Sequence, residues 1–264
     1  MNKVAVVIPH FNDMLGLQEA IASIGNKEQI DVVIVDDGSD LIKVDELQIT
    51  KLFKGLGTLT FLYLENNMGI EHALNHGLRY CLQKDYIYTA RLDCGDQCHI
   101  NRFQKQETYL NEHPSVSLIG AHVHFVNELG EHLFSPKYPL DHKTIKNRMY
   151  VNSMFIHPSV MFRNDILRSI GLYPTSYKAA EDYAFFFDVI RLFKTANMEE
   201  VLVTCKLRKD GISVIQRKQQ LKNRIKIILK HFYFGFYPVY GLLRNSLLYC
   251  IPYKAVIRLK KSVK

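Results

Sequence analysis

The stretch DVVIVDDGSD, residues 31–40, joins four β-branched apolar residues without alternation and then stops on acids, a glycine and a serine. An unbroken apolar run of this length reads as a strand buried on both faces, the habit of a parallel sheet. The polar end marks where that strand leaves the core. Three further runs have the same character: KVAVVIP (3–9), LTFLYLEN (59–66) and YIYTARLD (86–93). Between them lie helix-like stretches at Leu15–Ile24, Leu41–Phe53 and Gly69–Leu82. Strand and helix alternate through the first hundred residues, which predicts an α/β fold with a mostly parallel central sheet and helices on both faces.

From about residue 115 the pattern changes. SVSLIGAHVHFVNELGEHLF (115–134) predicts a hairpin with Gly130 in its turn. SMFIHPSVMFR (153–163) reads as a strand interrupted by Pro158, and AAEDYAFFFDVIRLF (179–193) as a helix with acids in its first turn. EEVLVTCKLR (199–208) reads as a closing strand.

A composition of 47 % hydrophobic and 23 % charged residues over 264 positions is that of a folded globular chain, not a disordered one. The five cysteines form no Cys-x-x-Cys pair, which suits free thiols in a reducing compartment. The first apolar run closes at Pro9-His10, too soon for a signal peptide, so a cytosolic or cytosol-facing location is expected. Charge is divided unevenly. Residues 201–264 carry fifteen Lys and Arg against one acid, Asp210, while residues 1–200 carry 19 against 25. A strongly basic end on an acidic body predicts an anionic surface as partner.

In open parallel sheets, ligands bind outside the carboxyl ends of the strands. VVIPHFND (6–13), VIVDDGSD (33–40) and ARLDCGD (90–96) all end there in polar residues. Taken alone, Asp37-Gly38-Ser39-Asp40 is equally a turn followed by a helix cap. With ENNMGIEHALNHGL (65–78) and GLYPTSYKAAEDYAFFFDVIRL (171–192), these motifs resemble, in order and spacing, the inverting family-2 glycosyltransferases of the nucleotide-sugar-binding GT-A fold. The resemblance runs from about Val4 to about Arg208.

It implies a role for each motif. Pro9 and His10 would lie against the nucleotide sugar. Asp36 and Asp37 would read base and ribose, because carboxylates accept from N–H and hydroxyl donors. Gly69 would admit the backbone close to the donor, with Arg91 and Asp93 near it. Asp93 and Asp96 would hold Mn²⁺ or Mg²⁺, hard cations that prefer oxygen ligands and bridge phosphates. Asp182 would be the catalytic base; as an ordinary first-turn acid it would instead complement the helix dipole. Glu181 and His157 would face the acceptor and the diphosphate, although a lone histidine beside proline is as readily structural.

Here the chain departs from the family pattern, with Gly95 where many relatives carry a carboxylate. Asp93 then binds ribose or metal and Asp96 reaches the metal directly or through water; alternatively the metal is weakly held and Arg91 or the basic tail supplies positive charge. Gly95 itself makes room or takes an unusual dihedral. A zinc site from Cys94, Cys98, His99, His122 and His124 lacks a well-spaced second pair.

In QQLKNRIKIILKHFYFGFY (219–237), Leu221, Ile225, Ile228, Leu229 and Phe232 share one helical face and Lys222, Lys226 and Lys230 another. No stretch reaches the roughly 18–20 apolar residues of a spanning helix. The tail is therefore expected to lie on an anionic membrane through residues 217–264, or else to pack on the catalytic domain with a solvated charged face. The expected layout is a catalytic domain over 1–210, with a nucleotide-binding half at 1–100 and an acceptor half at 101–210, followed by a tail at 211–264.

The expected activity is transfer of a sugar from a nucleotide donor, UDP-hexose or UDP-N-acetylhexosamine, to a hydroxyl of a glycan or polyprenyl-diphosphate-linked acceptor. Lipopolysaccharide, O-antigen or capsule assembly at the inner face of the membrane is the process such an enzyme would serve. Transfer onto polyprenyl phosphate and a non-catalytic nucleotide-sugar-binding subunit are the competing readings. An NAD-binding oxidoreductase is disfavoured because no G-x-G-x-x-G follows the first strand, and no nucleic-acid-binding signature is present.

Overall fold

The computed structural model describes residues 2–208, 211 and 215–251. Strand β1 (Val4–His10) divides its side chains between two cores. Ala5 and Val7 join Val33 and Val35 of β2 (Ile30–Asp36) in one, while Val4, Val6 and Ile8 join Val32 and Ile34 in the other. The second core is closed by α1 (Met14–Ala22), α2 (Glu46–Leu52) and α4 (Arg102–Glu112), through Leu17, Ile21, Ile49 and Phe103. The first is closed by α3 (Ile70–Gln83) and α7 (Glu181–Leu192), through Leu74, Leu78, Tyr183 and Phe186. With a helix layer on each face there is no solvated side to alternate toward, which is why these strands read as continuous apolar runs.

The sheet has nine strands among the described residues. β3 (Leu59–Tyr63), β2, β1 and β4 (Tyr88–Arg91) form a parallel run, and beyond β4 the sheet continues in the order β8 (Met161–Arg163), β6 (Val116–Val126), β9 (Lys194–Lys206) and β5 (Gln97–Cys98). β7 (His132–Phe134) pairs antiparallel with β6. β8 is antiparallel to both its neighbours, but the long ladders, β1 with β2 and β6 with β9, are parallel. The fold is thus the expected α/β arrangement with a mostly parallel sheet. Register sets His10 opposite Asp36 and Val7 opposite Arg91, so β1, β2 and β4 deliver their polar ends to one edge.

Several boundaries differ from the sequence reading for identifiable reasons. α2 begins at Glu46, not Leu41, because Asp45 caps it by accepting from the Gln48 amide. Leu41 and Ile42 instead donate their amides to Asn12 Oδ1 and remain exposed. β3 is an edge strand and only half-buried. His157–Ser159 form a single 3₁₀ turn that accommodates Pro158 before β8 starts. β9 begins at Lys194, five residues before the apolar run, because Asn197 donates to the Pro139 and Met154 carbonyls and so brings a polar segment into the sheet.

Helices α5 (His142–Arg148) and α6 (Ile166–Ile170) pack against α7, as does α8 (Arg217–Lys230), which pairs with α9 (Phe236–Cys250). α8 turns Leu221, Ile227 and Ile228 inward and leaves Leu229 exposed, so its buried face is rotated from the expected one. Residues 252–264 of the basic tail lie outside the described residues. Among the described residues no helix is long and apolar enough to cross a membrane.

Candidate active site

The strand ends and the first turns of α3 and α7 open on one cleft of about 1140 Å³. Pro9, His10, Asp37 and Gly69, from the ends of β1 and β2 and the start of α3, line it together with Asp93 and Asp96 beyond β4, His157, and Glu181 and Asp182 at the start of α7. A second pocket of about 560 Å³, lined by Asp36, Gly38, Ser39, Tyr63 and Asn66, adjoins it and shares Phe11 and Asn67. Of the residues expected in the site, Arg91 alone lines neither cavity.

On the β2 side the two acids do different work. Asp37 accepts from the Met68 and Gly69 amides, 2.9 Å each, and so fixes the loop entering α3. Gly69 holds φ at 104°, a left-handed conformation costly for a side chain. Asp36 Oδ1 accepts from the Ser39 amide at 3.1 Å and from Ser39 Oγ. His10 Nε2 accepts from the Asp13 amide at 3.2 Å, which leaves the ring proton on Nδ1, 3.3 Å from Asp36 Oδ1.

At the end of β4, Arg91 is fully buried, 0 % exposed. It donates to the Val7 carbonyl, to Asp93 Oδ1 and, at 3.3 Å, to His157 Nε2. Arg91 thus aims Asp93 from beneath. His157 Nε2 also accepts from the Tyr173 hydroxyl at 2.8 Å, so its ring proton sits on Nδ1. Burial, with the Arg91 charge beside it, holds this imidazole well below its usual range and therefore neutral. His157 can offer the cleft an N–H but no positive charge.

The turn from Asp93 to Asp96 is closed by the Asp96 amide donating to the Asp93 carbonyl at 3.1 Å. Gly95 sits in it at φ 85°, and a Cβ there would meet only Glu19 Oε2, at 4.0 Å. The dihedral, not space, is what demands glycine. Asp96 is buried, accepts from the Lys206 amide at 2.9 Å, and is pushed up to about 8 by burial and then by the charge of Asp93.

Glu181 and Asp182 open α7 without a side-chain cap. Glu181 is 6 % exposed, its Oε2 makes no hydrogen bond, and burial followed by the charge of Asp182 pushes it up to about 8. Burial raises Asp182 as well, against a lowering pull from Arg224. An acid whose folded-state pKa lies above its unfolded value binds its proton more tightly when folded, so stability falls as pH rises between the two values. The expected result is a melting temperature that declines from pH 5 to pH 8, with a shallower decline in Glu181→Gln; equal slopes in thermal melts of the two proteins would refute it.

Asp93 and Asp96 are hard oxygen donors that would hold a divalent cation, and Asp96, raised by burial and then by the charge of Asp93, is a carboxylate whose ionised form such a cation would favour. All five cysteines are free, and among the described residues no three His, Cys, Asp or Glu side chains come together as a metal-binding group.

Asn67, of the Asn-x-Gly start of α3, also lines the cleft; sequence reasoning missed Glu71, Lys178, Gln216 and Gln220, which line it too. Glu71 had a first-turn position as its only signal; the others had none.

The family model described as "Glycosyl transferase family 2" matches residues 5–171. The chain is 31 % identical over 224 residues to the amylovoran biosynthesis glycosyltransferase AmsE of Erwinia amylovora, covering 81 % of this chain and 80 % of the relative. It is 28 % identical to the UDP-Gal:alpha-D-GlcNAc-diphosphoundecaprenol beta-1,3-galactosyltransferase of Escherichia coli, over 83 % and 78 % of the two chains. Among solved structures, TarS 1–349 of S. aureus in complex with UDP-GlcNAc superposes with a TM-score of 0.67 at 17 % identity, covering 92 % of this chain and 72 % of that one.

Proposed function

We propose that this chain, which belongs to glycosyl transferase family 2 and is a sugar-transferring enzyme, uses a UDP-hexose or UDP-N-acetylhexosamine and glycosylates a hydroxyl of a lipid-linked glycan in cell-surface polysaccharide assembly. The observation that carries the reading is that acids from β2, β4 and α7 meet in one cleft continuous with a second, smaller pocket. The galactosyltransferase relative, whose name specifies UDP-Gal and a diphosphoundecaprenol acceptor, supports the choice of donor and acceptor.

In this mechanism the uracil and ribose occupy the smaller pocket, where Asp36 Oδ2 accepts from them. Asp182 takes the proton of the acceptor hydroxyl as its oxygen bonds to the anomeric carbon, and the bond from that carbon to the diphosphate breaks. Attack opposite the leaving group inverts the anomeric centre. Arg91 keeps Asp93 in place, and His157 donates Nδ1–H toward the diphosphate or acceptor. A divalent cation held by Asp93 and Asp96 supplies Lewis-acid neutralisation of the departing charge when bound.

Binding of UDP-sugars with Mn²⁺ in a thermal-shift screen, followed by acceptor-dependent release of UDP, tests the reading. Stabilisation by one UDP-sugar with release only when acceptor is present is expected. No response to any nucleotide sugar would overturn it, and binding without release would favour the non-catalytic subunit.

Attachment to the inner face of the membrane belongs to the same reading. Phe234 is 97 % exposed, and Phe236, Leu243 and Leu247 stand exposed along α9, beside the cations of α8. Such a face suits an anionic bilayer. The full chain is expected to co-sediment with phosphatidylglycerol vesicles, less at high salt, and Phe234→Ser with Phe236→Ser should lower the bound fraction several-fold. Equal binding to neutral vesicles would contradict the electrostatic part.

A further inference from the structure

We infer that α8 is part of the catalytic unit, with Asn223 and Arg224 acting as positioning residues for Asp182. The inference rests on the reading of Asp182 as the base. α8 lies beyond the residues matched by the family model, which end at 171, and sequence alone assigns it to a tail.

Asn223 is 1 % exposed, and its Nδ2 donates to the Lys178 carbonyl at 2.8 Å. The next residue, Ala179, holds φ at 63°, uncommon for a residue with a Cβ and a local strain that neighbouring structure must maintain. Ala180 donates its amide to the Tyr177 carbonyl at 2.8 Å, and α7 then begins with Glu181 and Asp182. The tight turn that presents both acids to the cleft is therefore tied down by a side chain from α8.

Arg224 reaches the same place from one residue further on. Its guanidinium lies 5.1 Å from the centre of the Tyr183 ring, and Nη1 donates to Asn152 Oδ1 at 2.8 Å. Its Nε is buried and makes no hydrogen bond. Tyr183 is fixed in turn by donating its hydroxyl to the Met149 carbonyl. Asp182 is thus followed in α7 by a ring held between a cation and a backbone carbonyl. Among the described residues, the groups whose charge is seen to bear on Asp182 include Glu181 and Tyr183 from its own helix, Asp93 from the end of β4, Tyr173, and Arg224. Arg224 alone among these is cationic, and it favours the ionised carboxylate a base requires. Gln216 and Gln220, on the same segment, line the cleft itself.

The test uses the full chain with Arg224→Gln, Arg224→Lys and Asn223→Ser. Three readings are taken: kcat and donor KM across pH, donor affinity by calorimetry, and amide hydrogen exchange over residues 178–183. Arg224→Gln is expected to lower kcat about tenfold to fiftyfold at unchanged donor affinity and to move the acidic limb of kcat/KM up by about one pH unit. Arg224→Lys should recover most of both. Asn223→Ser should speed exchange in the 178–183 turn while β1 and β2 stay protected. Wild-type kcat and pH profile in Arg224→Gln, or parallel loss of donor binding and folding in every variant, would overturn the inference. Absence of transfer by the unaltered enzyme would refute the role of Asp182 instead, and the exchange measurement would still decide whether α8 holds the turn.

Discussion

Asp182→Asn lowers acceptor-dependent release of UDP by about 10³-fold while leaving donor affinity within a factor of two. The asymmetry follows from where the group stands. Asp182 lines the cleft from the start of α7, whereas Asp37 and Gly69 line it from the end of β2 and the start of α3, and Asp36 lines the adjoining pocket. An amide of the same shape preserves packing but cannot accept a proton. Folding is not at risk, because burial already raises the Asp182 carboxyl and makes its charged form a cost to the folded state. Asp182→Asn should accordingly melt at or above the wild-type temperature at pH 8. Asn at full activity would move the base elsewhere, and Glu181, with its unpartnered Oε2, would become the first alternative.

Arg91→Met has the second large effect, this time on stability. The side chain is sealed from solvent and donates to the Val7 and Leu92 carbonyls, to Asp93 and to His157. Its loss removes one donor from the Val7 and Leu92 carbonyls and from His157 Nε2, which keeps the Tyr173 hydroxyl, and frees Asp93. Taking a donor from a buried acceptor costs about 1–3 kcal/mol, and the half-exposed Asp93 adds less than a fully buried ion would. Arg91→Lys is a poor substitute, since an ammonium cannot span acceptors in several directions as the planar fork does. Chemical denaturation read by fluorescence or circular dichroism gives the difference directly; a change below about 1 kcal/mol would mean that the network is dispensable.

Much of this was legible in the chain. The unalternating runs at 4–8 and 32–35 announced a two-sided parallel sheet, because only a strand covered on both faces can be apolar at every position. The acids at 36, 37, 93 and 96 and the Glu181-Asp182 pair were found as strand and helix ends, and all six reach the two adjoining cavities. What sequence could not give were tertiary contacts made by ordinary-looking polar residues. Asn197 draws β9 into the sheet by bonding two carbonyls far away in sequence. Asp37 binds two amides of the loop before α3, and Arg91 lies beneath the site instead of in it. Gly95 was chosen by its dihedral and not by space, a distinction that only backbone geometry makes. The rotation of α8 follows from Asn223 on its buried face, where a hydropathy pattern places no polar residue.

The reading turns on these acids forming one nucleotide-sugar site with a cation beside Asp93 and Asp96. Crystals grown with UDP and Mn²⁺ and measured at the manganese edge test it most directly. The account predicts one anomalous peak beside Asp93 and Asp96, joined to a diphosphate whose uridine lies in the pocket of Asp36 and Ser39. UDP bound away from that pocket, or manganese bound anywhere but beside those two carboxylates, would contradict it.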